Sequence, residues 1–144
     1  MEKLYKKISD SQATLFNLFQ KTWVYHWNIV GKDFQQLHIV FGNQYEEMFD
    51  EIDRLTEHIR FLNIKPVSTL KRLLEVSHIL EANSNLDDVG MIEDLMKDNQ
   101  TLIELYQQAA EEADKQNQRA TSNVLDDLAE SAGKRVWMLR SFIK

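Results

Sequence analysis

The stretch FQQLHIVFGNQYEEMFDEIDRLTEHIRFL, residues 34–62, decides the fold. Phe34, Leu37, Phe41, Tyr45, Met48, Ile52, Leu55, Ile59 and Leu62 recur at intervals of three and four, the period at which an α-helix returns side chains to one face. The pattern predicts one long helix, from an N-cap at Asp33 to about Asn63. Phe34, Phe41, Tyr45, Ile52 and Ile59 draw its apolar face. Along one flank of that face gather His38, Glu46, Asp53 and Glu57.

Upstream, Leu4, Ile8, Leu15, Phe16, Leu18, Phe19, Trp23 and Trp27 give a first helix that stops at Gly31. Downstream, Ile64-Lys65-Pro66-Val67 is a break. Ser68 or Thr69 then caps a short helix through Leu73, Leu74 and Ile79, ended by the polar residues 81–85. A further helix is expected from about Val89 to Ala113. Residues 114–118 form a polar hinge, and the last helix carries Val124, Leu125, Leu128, Val136, Leu139 and Ile143. The expectation is an all-α bundle of four long helices, with a short extra helix in the connection between the second and third, as a single domain over residues 1–144.

Composition agrees with helices. The chain has one Pro and four Gly in 144 residues, and 43% hydrophobic content is enough for a core. The lack of cysteine excludes disulfides and thiolate metal sites and suits a reducing compartment, so a cytoplasmic location is expected. No secretory leader or membrane-spanning run is read from the sequence, so no membrane partner is expected. A net charge of −6 argues against a polyanion-binding surface and favours cations.

The chemistry lies around the glycine turn. Gly31 follows His26 by five residues and precedes His38 by seven, so a helical hairpin brings the two imidazoles level. Asp53 and Glu57, four apart, are neighbours on one helix face, but fifteen residues of helix, about 22 Å, separate His38 from Asp53. One chain cannot close such a site. Two copies packed antiparallel about a two-fold axis near Glu46 and Glu47 would close two of them, each with imidazole and carboxylate donors. That donor set suits Fe(II) or Zn(II) better than Mg(II) or Ca(II), and binding should weaken in acid as imidazoles protonate.

His26-Trp27-Asn28-x-x-Gly31-x-x-Phe34-x-x-x-His38 followed by Asp53-x-x-x-Glu57 resembles the Dps-like mini-ferritins of the ferritin-like superfamily. Pro66-x-x-Thr69-Leu70 and Trp137-Met138-Leu139 extend the match to nearly the whole chain. The resemblance implies a hollow dodecamer of two-fold dimers that oxidises Fe(II), preferentially with hydrogen peroxide, stores Fe(III) mineral and protects against oxidative stress. It implies metal ligands His26 and His38 from one subunit and Asp53 and Glu57 from its mate. Trp27 would stand beside the site, and Asp127 would line the pore by which iron enters. The resemblance places a second pore carboxylate where this chain has Gln118, so it implies a less negative entry route.

One departure concerns the site itself. The family usually carries an Asp one helical turn after the second His, where this chain has Gly42. Glu46, one turn further, is the candidate substitute ligand. The alternative reading is a ferritin-like shell whose ferroxidase site has weakened or lapsed and which serves as a binding, structural or DNA-protecting protein. DNA binding is not expected, because only Lys3, Lys6 and Lys7 form a basic group near the start of the chain. Glu75-Val76-Ser77-His78 spells a Glu-x-x-His motif, but it occurs once and on the short helix, and is read as chance.

Overall fold

Five helices carry the chain in the computed structural model, which describes all 144 residues: α1 (Glu2–Asn28), α2 (Phe34–Phe61), α3 (Leu70–Val76), α4 (Asp88–Lys115) and α5 (Arg119–Arg140). α1 packs on α2 and α4 on α5 as two hairpins, and contacts of α1 with α4 and of α2 with α5 close a four-helix bundle. The connection between the hairpins contains α3, which lies on α1. No helix is long and apolar enough to cross a membrane.

The core is aliphatic with a few rings. Leu4, Leu15 and Leu18 of α1, Phe41 and Met48 of α2, and Leu95, Leu102 and Tyr106 of α4 are fully buried, with Leu125 and Leu128 of α5 nearly so. Each such side chain contributes about 1.5–3 kcal/mol of hydrophobic stabilisation before chain entropy is counted.

The helix ends follow local chemistry. Thr69 Oγ1 accepts the Arg72 amide at the start of α3, and Asp87 Oδ1 accepts the Gly90 amide at the start of α4. Asp33 occupies the N-cap position of α2 but its side chain makes no capping bond. α2 stops at Phe61, two residues before the expected end, because Asn63 turns left-handed (φ 63°) and the Ile64 amide bonds back to Ile59. Asn117 (φ 60°) ends α4 in the same way, with Gln118 bonding back to Ala113. α3 ends at Val76, so Ile79 is buried from the connection and not from a helix.

The apolar face expected for α2 is rotated. Leu37, Phe41, Met48, Leu55 and Ile59 face the core, whereas Phe34 is exposed and Tyr45 and Ile52 are half-buried. The physical reason is a second apolar stripe. Phe19 and Trp23 of α1 meet Tyr45 and, through Phe19, Phe49 of α2 at ring separations of 5.6–6.1 Å on the outside of the bundle. Phe49 is 58% exposed and Trp27 is 54% exposed.

Candidate metal centre

α1 closes with the Ile29 amide on the Tyr25 carbonyl, and the chain reverses through Gly31, whose φ of +119° only glycine adopts without strain. This turn sets His26, in the last turn of α1, against His38 of α2. Their rings stack with centroids 3.8 Å apart and planes 14° from parallel.

Each Nδ1 lies against the other residue's backbone carbonyl, His26 on His38 at 2.6 Å and His38 on His26 at 2.8 Å. A carbonyl oxygen only accepts, so both Nδ1 atoms carry the hydrogen and donate. In the neutral rings this leaves each Nε2 with a free lone pair. Histidines that ligate metals are held in this way, one nitrogen anchored to a carbonyl and the other turned to the ion. Tyr45 meets the His26 ring edge-on at 5.3 Å, and Phe34 stacks on His38 at 5.2 Å. The Trp27 indole packs instead on Trp23, at 4.9 Å.

Gly42 lies one turn beyond His38. A Cβ there would come within 3.1 Å of His26 Cε1 and 3.2 Å of its Nδ1. The His26 ring therefore lies close over Gly42, and a side chain at that position would require it to give by a few tenths of an ångström.

The carboxylates lie elsewhere on α2. Asp53, Glu57 and Glu46 are exposed, and none of the three forms an ion pair within the chain. Their nearby cations are otherwise engaged, since Arg54 holds Asp127 at 3.0 Å and Arg60 donates to the Ile64 carbonyl. The chain itself gathers no group of three or more His, Asp or Glu able to hold a metal. The imidazole pair and the carboxylate pair thus stand apart on the chain, as the helical rise between them requires.

A ferritin-like domain model matches residues 5–144. The chain is 34% identical to DNA protection during starvation protein 2 of Bacillus anthracis, over 99% of this chain and 95% of that protein. Among solved structures it is similar to Dps from Staphylococcus aureus, with a TM-score of 0.96 at 26% identity over 100% of this chain and 97% of that one. It is similar also to a Dps protein from Vibrio cholerae described as a member of a broad superfamily of ferritin-like diiron-carboxylate proteins. There the TM-score is 0.94 at 28% identity, over 99% of this chain and 90% of that one.

The chain belongs to the ferritin-like family, as a Dps-like mini-ferritin.

Di-iron bundles of the ferritin-like class build their centre inside the bundle, from inward Glu and Glu-x-x-His residues. In this mini-ferritin buried cations are paired with carboxylates in the bundle. Arg135 of α5 reaches Glu47 at 2.5 Å and Glu51 at 3.0 Å, and donates from Nε to Asn99. Lys21 of α1 lies between Asp98 at 2.6 Å and Asp94 at 3.2 Å, and Tyr25 donates to Asp94. Glu75 and His78 turn to different partners, Arg72 and Asp10, so their motif assembles nothing.

Burial raises Glu51 to about 7 against the opposing pull of Arg135. It raises Asp98 too, although Lys21 works against it. His58, which shares a hydrogen bond with Thr121, is lowered by burial and then by Arg54. Sequence reading missed these interior ion pairs, because Lys21 and Arg135 look like solvated charge. The available signal was their place in line with the apolar positions of their helices, Lys21 three after Leu18 and Arg135 four before Leu139.

Proposed function

We propose that this mini-ferritin binds, oxidises and stores iron at sites shared between two subunits. The observation that carries the reading is the stacked imidazole pair, each ring anchored through Nδ1 and neither Nε2 engaged by the protein. His26 and His38 of one copy, with Asp53 and Glu57 of its two-fold mate, supply imidazole and carboxylate donors suited to Fe(II), with Zn(II) as the redox-inert occupant. Fe(II) is the substrate. Paired or successive Fe(II) ions give one electron each to hydrogen peroxide, whose O–O bond breaks with uptake of two protons to give two waters and two Fe(III) per peroxide rather than hydroxyl radical.

The outward aromatic stripe on α1 and α2, next to the imidazoles, supports the two-fold contact, and dodecamers of such dimers would enclose the mineral. Twelve copies would carry twelve times the −6 of one chain, which favours Fe(II) uptake. Asp127 is proposed for the pore, its charge offset by Arg54 in this chain. The seating of His26 against Gly42 favours a retained site over a lapsed one. Lys3, Lys6 and Lys7 belong to α1, and Lys6 is held by Asp10, which gives DNA little to grip.

Complementation tests the shared site. Neither His38→Ala nor Glu57→Ala oligomers should bind or oxidise Fe(II) at the centre. In a mixed dimer, however, one of the two sites joins intact imidazoles to intact carboxylates. Oligomers reassembled from both variants should recover peroxide-dependent oxidation to about half the wild-type sites at most. Mixtures no better than either parent would sink the inter-subunit reading.

A further inference from the structure

The two half-sites leave open how many ions each centre takes, and Gly42 bears on that number. The His26 ring sits close over Gly42, with a hypothetical Cβ 3.1 Å from Cε1, and in that seat it stacks on His38 at 3.8 Å while both Nδ1 atoms reach carbonyls. The imidazole half-site is therefore compact, and α2 offers it no carboxylate one turn beyond His38. A glycine in the middle of a long helix weakens that helix, so its presence there calls for a close approach of the kind His26 makes.

We infer that Gly42, by giving its space to the His26 ring, makes each shared centre mononuclear. The inference rests on the inter-subunit reading proposed above. Two neutral imidazoles with two carboxylates carry a charge of −2, which balances one divalent cation. A second cation a few ångströms away would meet a fourfold unit-charge repulsion, and with glycine at position 42 no carboxylate one turn beyond His38 offsets it. Four donors also complete a tetrahedral shell.

The test is calorimetric titration of chelator-treated wild-type oligomer with Zn(II), alongside Co(II) titration followed by its visible absorption. One ion per subunit, lost in His38→Ala, is the expected result. Two ions per subunit, both lost in His38→Ala, would overturn the mononuclear inference and leave the shared site standing. Binding that ignores His38→Ala, or none at all, would overturn the shared site and the inference with it.

Gly42→Ala supplies the discriminating variant. Its Cβ should crowd His26, weaken binding about 10- to 100-fold and shift the Co(II) spectrum, with assembly unchanged. Unaltered affinity and spectrum would show that Gly42 does not position His26. If Gly42→Ala fails to assemble, the wild-type stoichiometry still decides the inference.

Discussion

Arg135 is the largest fully buried side chain in the protein, and its guanidinium is shared by Glu47 and Glu51. Two carboxylates on one cation leave an excess negative charge partly inside the bundle, and Glu51, the more buried of the two, holds a proton up to about pH 7. The folded state thus binds this proton more tightly than the unfolded chain does. Its stabilising contribution is complete below the ordinary carboxylate range and fades as pH rises from there through about 7. Asp98, also raised, pulls in the same direction, and His58, lowered, in the opposite one. Glu51→Gln removes the titration, so the fall in unfolding free energy between about pH 5 and 7.5 should shrink by on the order of 1–2 kcal/mol in urea melts. An identical pH profile for the variant would show that Glu51 is ionised throughout.

At the scale of the element, the hairpin of α1 and α2 explains both what the sequence discloses and what it conceals. Period locates all five helices, with proline position and the Thr69 cap marking α3, because burial of one helical face demands that spacing whatever the tertiary context. They also bring His26 and His38 level, since a turn of fixed length between two helices sets their register. Periodicity does not separate a face turned to the core from one turned to a partner. Phe34, Tyr45 and Ile52 therefore join the apolar line of α2 although Leu37, Met48 and Leu55 fill the interior. Nor does it mark an ion pair closed between distant helices, such as Lys21 with Asp98. Gly31 carries the register of the hairpin, with φ +119° and the Asp88 carboxylate 3.4 Å from where a Cβ would stand. Gly31→Ala should cost about 1–3 kcal/mol of stability by urea denaturation. It should also weaken Zn(II) binding, because any change of turn displaces one imidazole against the other. A stability loss with metal affinity intact would mean that the ring stack, not the turn, holds the pair together.

For the whole molecule, the proposed joining of His26 and His38 with a partner's Asp53 and Glu57 turns on the outward aromatic stripe. Phe16, Phe19, Trp23 and Phe49 leave a contiguous apolar surface on one side of a chain of net charge −6, and such a surface is stable in water when a partner covers it. A two-fold axis near Glu46 and Glu47 would place this face against its own copy and carry Asp53 and Glu57 toward the partner's imidazoles. Phe49 is the most exposed ring of the stripe and no proposed ligand, so its replacement separates assembly from metal chemistry. Phe49→Asp should leave the helical content of the subunit unchanged, since an exposed substitution costs a fold little. Across the axis it would set an aspartate from each copy into an apolar contact, where unpaired charge is strongly disfavoured. Analytical ultracentrifugation should then report subunits smaller than the wild-type assembly, and Zn(II) binding should fall in proportion although every ligand remains. A full-size assembly with undiminished binding would move the two-fold contact off this face.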